Sequence, residues 1–278
     1  MKVFIAVIII LSNGHLLAQD LKVMTYNIRL DVDSDGANSW TNRKDFLSGQ
    51  ILFYEPDILG LQEVKPNQVY DLSVYLDDYA YVGTGRDTQN TGESSNIFYK
   101  KDVFKIKSSG TFWLSPTPEK PSIGWDAACH RICTYVKLFD RKSKTHLWVF
   151  NTHLDHVGEV SKNNSIHMIL NKIKILAKPN EPVIFMGDLN SEPDSERIIQ
   201  LKTIMNDSRD ISTSKPFGPS GSFNGFKHNE AVTKLIDYVF VSKSNKIKIK
   251  KYAVLSDSRD LRYPSDHFPI YVEMALMK

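Results

Sequence analysis

Residues 183–193 read VIFMGDLNSEP. Four apolar residues, Val183, Ile184, Phe185 and Met186, run straight into Gly187, Asp188, Leu189 and Asn190. A short apolar run bounded by Gly and Pro has the length and punctuation of a buried strand, so its polar end marks where that strand leaves the core. Asp and Asn at such an exit commonly form a turn by hydrogen-bonding their own backbone. They can equally serve as ligands, and the residues at the other strand ends decide between the two. On an extended chain Asp188 and Asn190 have the same parity, so both would face one side while Leu189 faces the other. Gly187 would allow a close approach of backbone.

Outward from this stretch, strand-like and helix-like segments alternate without a low-complexity linker, which favours one α/β (α+β) domain over two. Strand patterns fall at residues 21–28, 57–64, 79–82, 96–99, 104–114, 132–139, 146–153, 183–186, 235–241, 247–255 and 270–274. Helical patterns fall at 40–53, with Asn38 or Ser39 as N-cap, after Pro66, at 159–176 and at 194–201. In the first half a strand ending in Tyr26-Asn27 leads through a helix to one ending in Gln62-Glu63. In the second, a strand ending in Asn151-Thr152-His153 leads through a helix to one ending in Gly187-Asp188. The halves read as two versions of one β-α-β plan. Two such sheets packed face to face, helices outside, would bring the polar strand ends to one rim, where ligands of open α/β sheets bind.

The chain has 278 residues, 41% apolar and 24% charged, an ordinary globular composition. Its start departs from this: Lys2 is followed by an unbroken apolar run over residues 3–11 and then by polar and small residues to Ala18-Gln19. That is the pattern of a secretory signal peptide, and the run is too short to cross a bilayer as a helix. We therefore expect a signal peptide over residues 1–19, one domain over 20–278, export to the periplasm or medium, no transmembrane segment and no stable protein partner. Removal of Lys2 leaves 34 basic against 32 acidic residues, a net charge of +2. This balance gives no support to a dedicated nucleic-acid binder with a basic stripe. The alternating Lys and Ile of residues 244–251 read as an edge strand, Ile inward and Lys outward. Cys129 and Cys133, on an extended segment, lie about 13 Å apart, beyond disulfide reach. Two thiols are too few for structural zinc, and both read as small buried residues.

The chemistry-bearing residues at strand exits are Asn27, Glu63, His153, Asp155, His156, Asp188, Asn190, Asp237, Asp266 and His267. Singly, each is a turn cap or a hydrogen-bonded histidine. Together they form a set rich in carboxylate and amide oxygen, without thiolate, which suits a hard divalent cation such as Mg²⁺ or Mn²⁺.

TYNIRL, LQEV, NTHLDH, GDLN, IDYVFVS and PSDHFPI, in that order over residues 21–275, resemble the motif set of the endonuclease/exonuclease/phosphatase superfamily. TYNIRLDVDSDGANSW, GESSNIFYKKD and GWDAACHRICTYVKL resemble an exported bacterial subfamily of it. The resemblance implies a DNase-I-like, four-layer α/β/β/α sandwich of two packed mixed β-sheets, and hydrolysis of a phosphate ester by in-line attack of water. It implies Glu63 as principal metal ligand with Asn27 beside it, and Asp266 as a further metal-side carboxylate. Asp188 would orient or deprotonate the attacking water, and Asn190 would hold phosphate or metal. His267 would donate to a phosphate oxygen, oriented by Asp237, while His153 contacts phosphate and Arg131 clamps it. His130 stands where that subfamily is expected to carry proline.

These residue types fit the chemistry. A phosphate ester repels a nucleophile, so catalysis is mainly charge neutralisation and positioning by metal, Arg and imidazolium. A carboxylate takes or steers the proton of water, and Asp237 should raise the pKa of His267. Two more residues are candidates for contact with substrate. Glu93 sits in a Gly-Glu-Ser loop that also reads as surface; Trp125 could stack on a base or sugar, or pack in the core.

Fold alone does not name the substrate. A phosphodiester or a phosphomonoester is open, hence a nuclease, a sugar or inositol phosphate phosphatase, or a lipid phosphodiesterase, although no long apolar hairpin for lipid insertion is present. A non-catalytic binding protein on the same fold would show substitution at Glu63, Asp188 or His267, and all three are in place. A phosphate-cradling nucleotide domain would need GxGxxG or GxxxxGK[ST], and neither occurs.

Overall fold

A computed structural model of the protein describes residues 19–277. The segment read as a signal peptide, apart from its last residue, lies outside the described residues.

β1 (Gln19–Asn27) runs parallel to its neighbour β2 (Ile58–Gln62) because α1 (Trp40–Tyr54) carries the chain back between them. After α2 (Pro66–Tyr75), β3 (Tyr79–Val82) and β4 (Ile97–Lys100) form a hairpin on the far side of β2. The last two strands, β11 (Ile247–Val254) and β12 (Ile270–Leu276), close the other side, giving the order β11-β12-β1-β2-β4-β3. The second sheet repeats the plan. β5 (Phe104–Trp113), β6 (Ile132–Asp140) and β7 (His146–His153) form a meander, and α3 (Glu159–Leu176) leads to β8 (Val183–Asp188), parallel to β7. With α4 (Glu196–Ile204), β9 (Met205–Asp207) and β10 (Asp237–Ser242) the order is β5-β6-β7-β8-β10-β9. Each sheet therefore has its parallel pair at the centre, with Asn27 opposite Gln62 in one and His153 opposite Asp188 in the other.

Parity distributes the apolar residues into layers. Leu21, Val23 and Ile58 join the core between the sheets, whereas Met24, Tyr26, Leu59 and Leu61 pack with Trp40, Leu47 and Leu72 of α1 and α2 on the outer face. Ile166, Ile169, Ile198 and Leu201 of α3 and α4 cover the second sheet. The result is a four-layer α/β/β/α sandwich. The sheets are in close contact at Gly60, where a Cβ would lie 2.6 Å from Met186 Cε, and they are also linked by polar side chains near their strand ends. There Gln62 Nε2 donates to Asn151 Oδ1 (2.7 Å) and Thr25 Oγ1 (2.9 Å), while Asn151 Nδ2 donates to the carbonyls of Leu61 and Asn96 (both 2.8 Å). These buried hydrogen bonds cross the interface and tie the strand ends of the two halves into one rim.

The boundaries of several elements differ from the sequence pattern for identifiable reasons. β8 continues through Gly187 to Asp188 because it pairs there with both β7 and β10. Gly187 is held at φ 143°, and a Cβ would collide with the carbonyl oxygen of Thr152, so the close backbone approach expected of this glycine occurs. β9 is only three residues long, too short to carry a period. β11 is an edge strand with Ile247 and Ile249 buried and Lys248 and Lys251 exposed.

Candidate active site

Both β-α-β units deliver their polar strand ends to one cavity of about 380 Å³, whose lining includes Glu63, Arg131, His153, Asp188, Asn190 and Asp266 with His267. Asn27 and Asp237 stand immediately behind that lining. Glu63 and Asn190 both have left-handed backbones, φ 62° and 45°, the kind of local strain that persists where surrounding structure dictates it.

His267 Nδ1–H donates to Asp237 Oδ2 (2.8 Å), and Ser222 Oγ donates to the same oxygen (2.6 Å). With Nδ1 fixed in this way, Nε2 is turned toward Asp188 Oδ2, 3.8 Å away. Burial disfavours the charged imidazole, but Asp237, with Asp188 and Asp266, outweighs it and pushes the pKa up to about 10. The ring is thus an imidazolium donor at neutral pH. For Asp188, burial and then the charge of Asp237 push the carboxyl up, against His267, the Asn190 N–H and Asn27.

Asp188 Oδ1 accepts the Asn190 backbone N–H (2.9 Å), and Oδ2 accepts Asn27 Nδ2 (3.0 Å). The chain therefore turns at Asn190 rather than continuing extended, so the parity argument ends at Asp188. The turn itself swings the Asn190 side chain into the cavity. Asn190 Nδ2 donates to the Leu154 carbonyl (2.9 Å), which fixes the amide orientation, and it also donates to His153 Nε2 (3.0 Å). His153 accepts there as a neutral ring; burial, followed by Arg131, holds its pKa well below the usual value.

On the other side, Glu63 Oε1 accepts Asn27 Nδ2 (3.0 Å) and Oε2 accepts the Leu30 N–H (3.0 Å). Asn27 Oδ1 is occupied by the Arg29 N–H (3.1 Å). Asn27 lies beside Glu63 as expected, but it turns its NH₂ rather than its oxygen toward the site. Its amide thereby spans the carboxylates of Glu63 and Asp188 and links the polar ends of the two sheets. Asp266 lies 4.0 Å from Arg29 Nε, and that guanidinium is already held by Asp35. Burial pushes the Asp266 carboxyl up, and the charge of Glu63 pushes the same way.

Glu63, Asp188 and Asp266 thus place three acidic side chains in one largely buried cavity, an all-oxygen set whose mutual repulsion a hard divalent cation would relieve. Ligand atoms of Asp188, Asp237 and His267 also lie within 4.8 Å of one another. His267 Nδ1 and Asp237 Oδ2 are engaged with each other, while Asp237 Oδ1 has no partner among the described residues, so this cluster and the Glu63 and Asp266 carboxylates are the two groups that could hold a cation.

Arg131 is buried. Its Nε donates to Asp155 Oδ2 (3.2 Å), Nη2 meets His156 Nδ1 (3.0 Å), and Nη1 has no partner among the described residues. Asp155 Oδ1 accepts the N–H groups of Val157 and Gly158. Burial raises its carboxyl, but the backbone bonds and Arg131 together take it down to about 2. Asp155 and His156 therefore brace Arg131 rather than His153.

Glu93 joins the cavity wall through a bidentate pair with Arg86. Trp125 does not line the cavity; the neighbouring Asp126 carboxylate accepts the Val160 and Ser161 N–H groups and fixes that loop to the start of α3. Cys129, read as simply buried, is half-buried in the cavity wall. Arg86, Phe223 and Lys234 were not legible: they sit on loops without period. Phe223 packs its ring against His267 (5.1 Å between centroids), and Lys234 Nζ lies over Phe223 at 5.5 Å.

Residues 24–267 match the Endonuclease/Exonuclease/phosphatase family. Among solved structures, a family protein from Bacteroides thetaiotaomicron is 33% identical with a TM-score of 0.88, covering 94% of this chain and 99% of that one. A mannosyl-6-phosphatase from the same organism is 35% identical with a TM-score of 0.85, covering 91% and 99%. The exoribonuclease subunit Ccr4 of Saccharomyces cerevisiae is 24% identical, over 87% of this chain and 36% of its own length. The chain spans between 17% and 60% of the length of the first curated relatives it matches. Motif order, two-sheet fold and family match agree: the chain belongs to the endonuclease/exonuclease/phosphatase family, hydrolases of phosphoester bonds.

Proposed function

We propose that the protein is an exported phosphomonoesterase that hydrolyses a small phosphorylated molecule with the help of Mg²⁺ or Mn²⁺. The observation that carries this reading is the form of the site: a single cavity of about 380 Å³, the size of a small-molecule pocket, in a chain of near-neutral charge. The 35% identical mannosyl-6-phosphatase supports it. Export rests on the N-terminal sequence pattern, and no helix among the described residues is long and apolar enough to cross a membrane.

The residues divide the reaction between them. Asp188, pushed toward protonation by burial, orients the attacking water and accepts its proton. His267 donates from Nε2 to a phosphate oxygen, its opposite nitrogen held by Asp237. Arg131 offers its free Nη1, while Asn190 and His153 set the shape of the phosphate pocket. A divalent cation held by Glu63 and Asp266 would supply Lewis-acid neutralisation of charge on the phosphate. The test is release of p-nitrophenol from p-nitrophenyl phosphate and from bis-p-nitrophenyl phosphate with Mg²⁺ or Mn²⁺. The monoester should be the better substrate, and Glu63→Ala should remove the activity. A clear preference for the diester would reject the reading.

A further inference from the structure

The cavity wall beside Glu63, Arg131 and His153 also carries an ion pair to which the phosphate chemistry assigns no role. Arg86 Nη1 donates to Glu93 Oε2 at 3.0 Å and Nη2 to Oε1 at 2.5 Å, with side chains only 16% and 14% exposed. The loop between β3 and β4 that bears them does not need this pair for its shape. Its backbone is closed by Arg86 N–H to the Glu93 carbonyl (2.9 Å) and Asp87 N–H to the Thr91 carbonyl (2.9 Å), and Trp113 Nε1 anchors the Arg86 carbonyl (2.7 Å). A buried ion pair is weak evidence for stabilisation, because desolvation offsets much of its attraction.

Nor does the pair suit phosphate. Its net charge is zero, and the phosphate end of the cavity has its own cations in His267 and Arg131. What the pair does present is unused hydrogen-bonding capacity of both kinds. Two of the five guanidinium N–H donors are engaged with Glu93, and each carboxylate oxygen keeps a further acceptor site. A hydroxyl group is donor and acceptor at once, so neighbouring hydroxyls complement such a surface; an apolar group would leave it desolvated and unpaired.

We propose that the Arg86–Glu93 pair is the subsite for the alcohol part of the substrate, and that the substrate is the phosphate ester of a polyhydroxylated alcohol, of the hexose 6-phosphate class. This deepens the monoesterase reading and rests on it. The experiment compares kcat/KM for a hexose 6-phosphate with that for n-hexyl phosphate, in the wild type and in Glu93→Gln and Arg86→Lys. The wild type should prefer the hexose ester by about tenfold or more, since a site that binds hydroxyls rejects an analogue lacking them. Both variants should lose most of that ratio, chiefly through KM, because neither keeps the charged bidentate fork. Equal wild-type values for the two esters would overturn the subsite while leaving the monoesterase reading in place, as would an equal fall for both esters in the variants. Hydrolysis of diesters with no phosphate released from either monoester would overturn both.

Discussion

At the scale of single residues, the pair His267–Asp237 is the part of the site whose physical state is best determined. The carboxylate is buried, accepts from both Ser222 and His267, and keeps the imidazole charged with a pKa up to about 10. Asp237→Asn removes that charge while keeping the size of the side chain. We expect kcat to fall by about two to three orders of magnitude, the range for loss of a donor to the charge developing on a transition-state oxygen, and the alkaline limb of the pH profile to move toward neutral. The same shift bears on stability. A folded-state pKa raised above the unfolded value of about 6.5 contributes stability that is complete below that pH and lost as pH rises through about 10. His267 and Asp188 were legible because each ends an apolar strand or stands in a motif. The orientation of the Asn27 amide was not, since which end of an amide faces the site depends on partners from three segments, Arg29, Glu63 and Asp188. Arg86 and Phe223 lacked any local pattern and reach the site only through tertiary folding.

At the scale of elements, hydrophobic period and turn chemistry recovered most of the chain. β3, β7 and α3 have the limits their patterns suggested, because each is bounded by a change of period or a helix start. β9 escaped notice, being three residues that pair only with the outer side of β10. Two glycines make the element scale testable. Gly187 in β8 sits at φ 143° against the Thr152 carbonyl, whereas nothing lies within 4 Å of a Cβ added to Gly49 in α1. Gly187→Ala should destabilise the fold by about 3 kcal/mol or more through strain and collision. Gly49→Ala should stabilise it by about 0.5–1 kcal/mol, the helix-propensity difference. Denaturant midpoints of the two variants moving in the same direction would contradict this.

At the scale of the whole molecule, the β-α-β repeat places acidic strand ends from both halves in one rim, which favours function at the expense of stability. Glu63 comes from the first sheet, Asp188 from the second, and Asp266 from the loop that returns to the first. Burial pushes the carboxyls of Asp188 and Asp266 up, and neighbouring acidic groups add to it. A carboxyl raised in the folded state contributes stability that is fully present below its unfolded pKa of about 3.9 and lost as pH rises through the folded value. The metal-free protein should therefore lose stability as pH rises from about 4 toward neutrality. A bound divalent cation opposes this loss, because it competes with protons for the same oxygens. At a concentration a hundredfold above its dissociation constant it adds about 2.7 kcal/mol, enough to move the melting temperature by several degrees. The Mg²⁺-induced rise in melting temperature should be larger at pH 8 than at pH 5, and EDTA should reverse it. Glu63→Gln should abolish the rise while leaving the metal-free protein at least as stable as wild type at pH 8, since one of the repelling charges is gone. A rise of equal size at both pH values, or one that survives Glu63→Gln, would move the cation away from this rim.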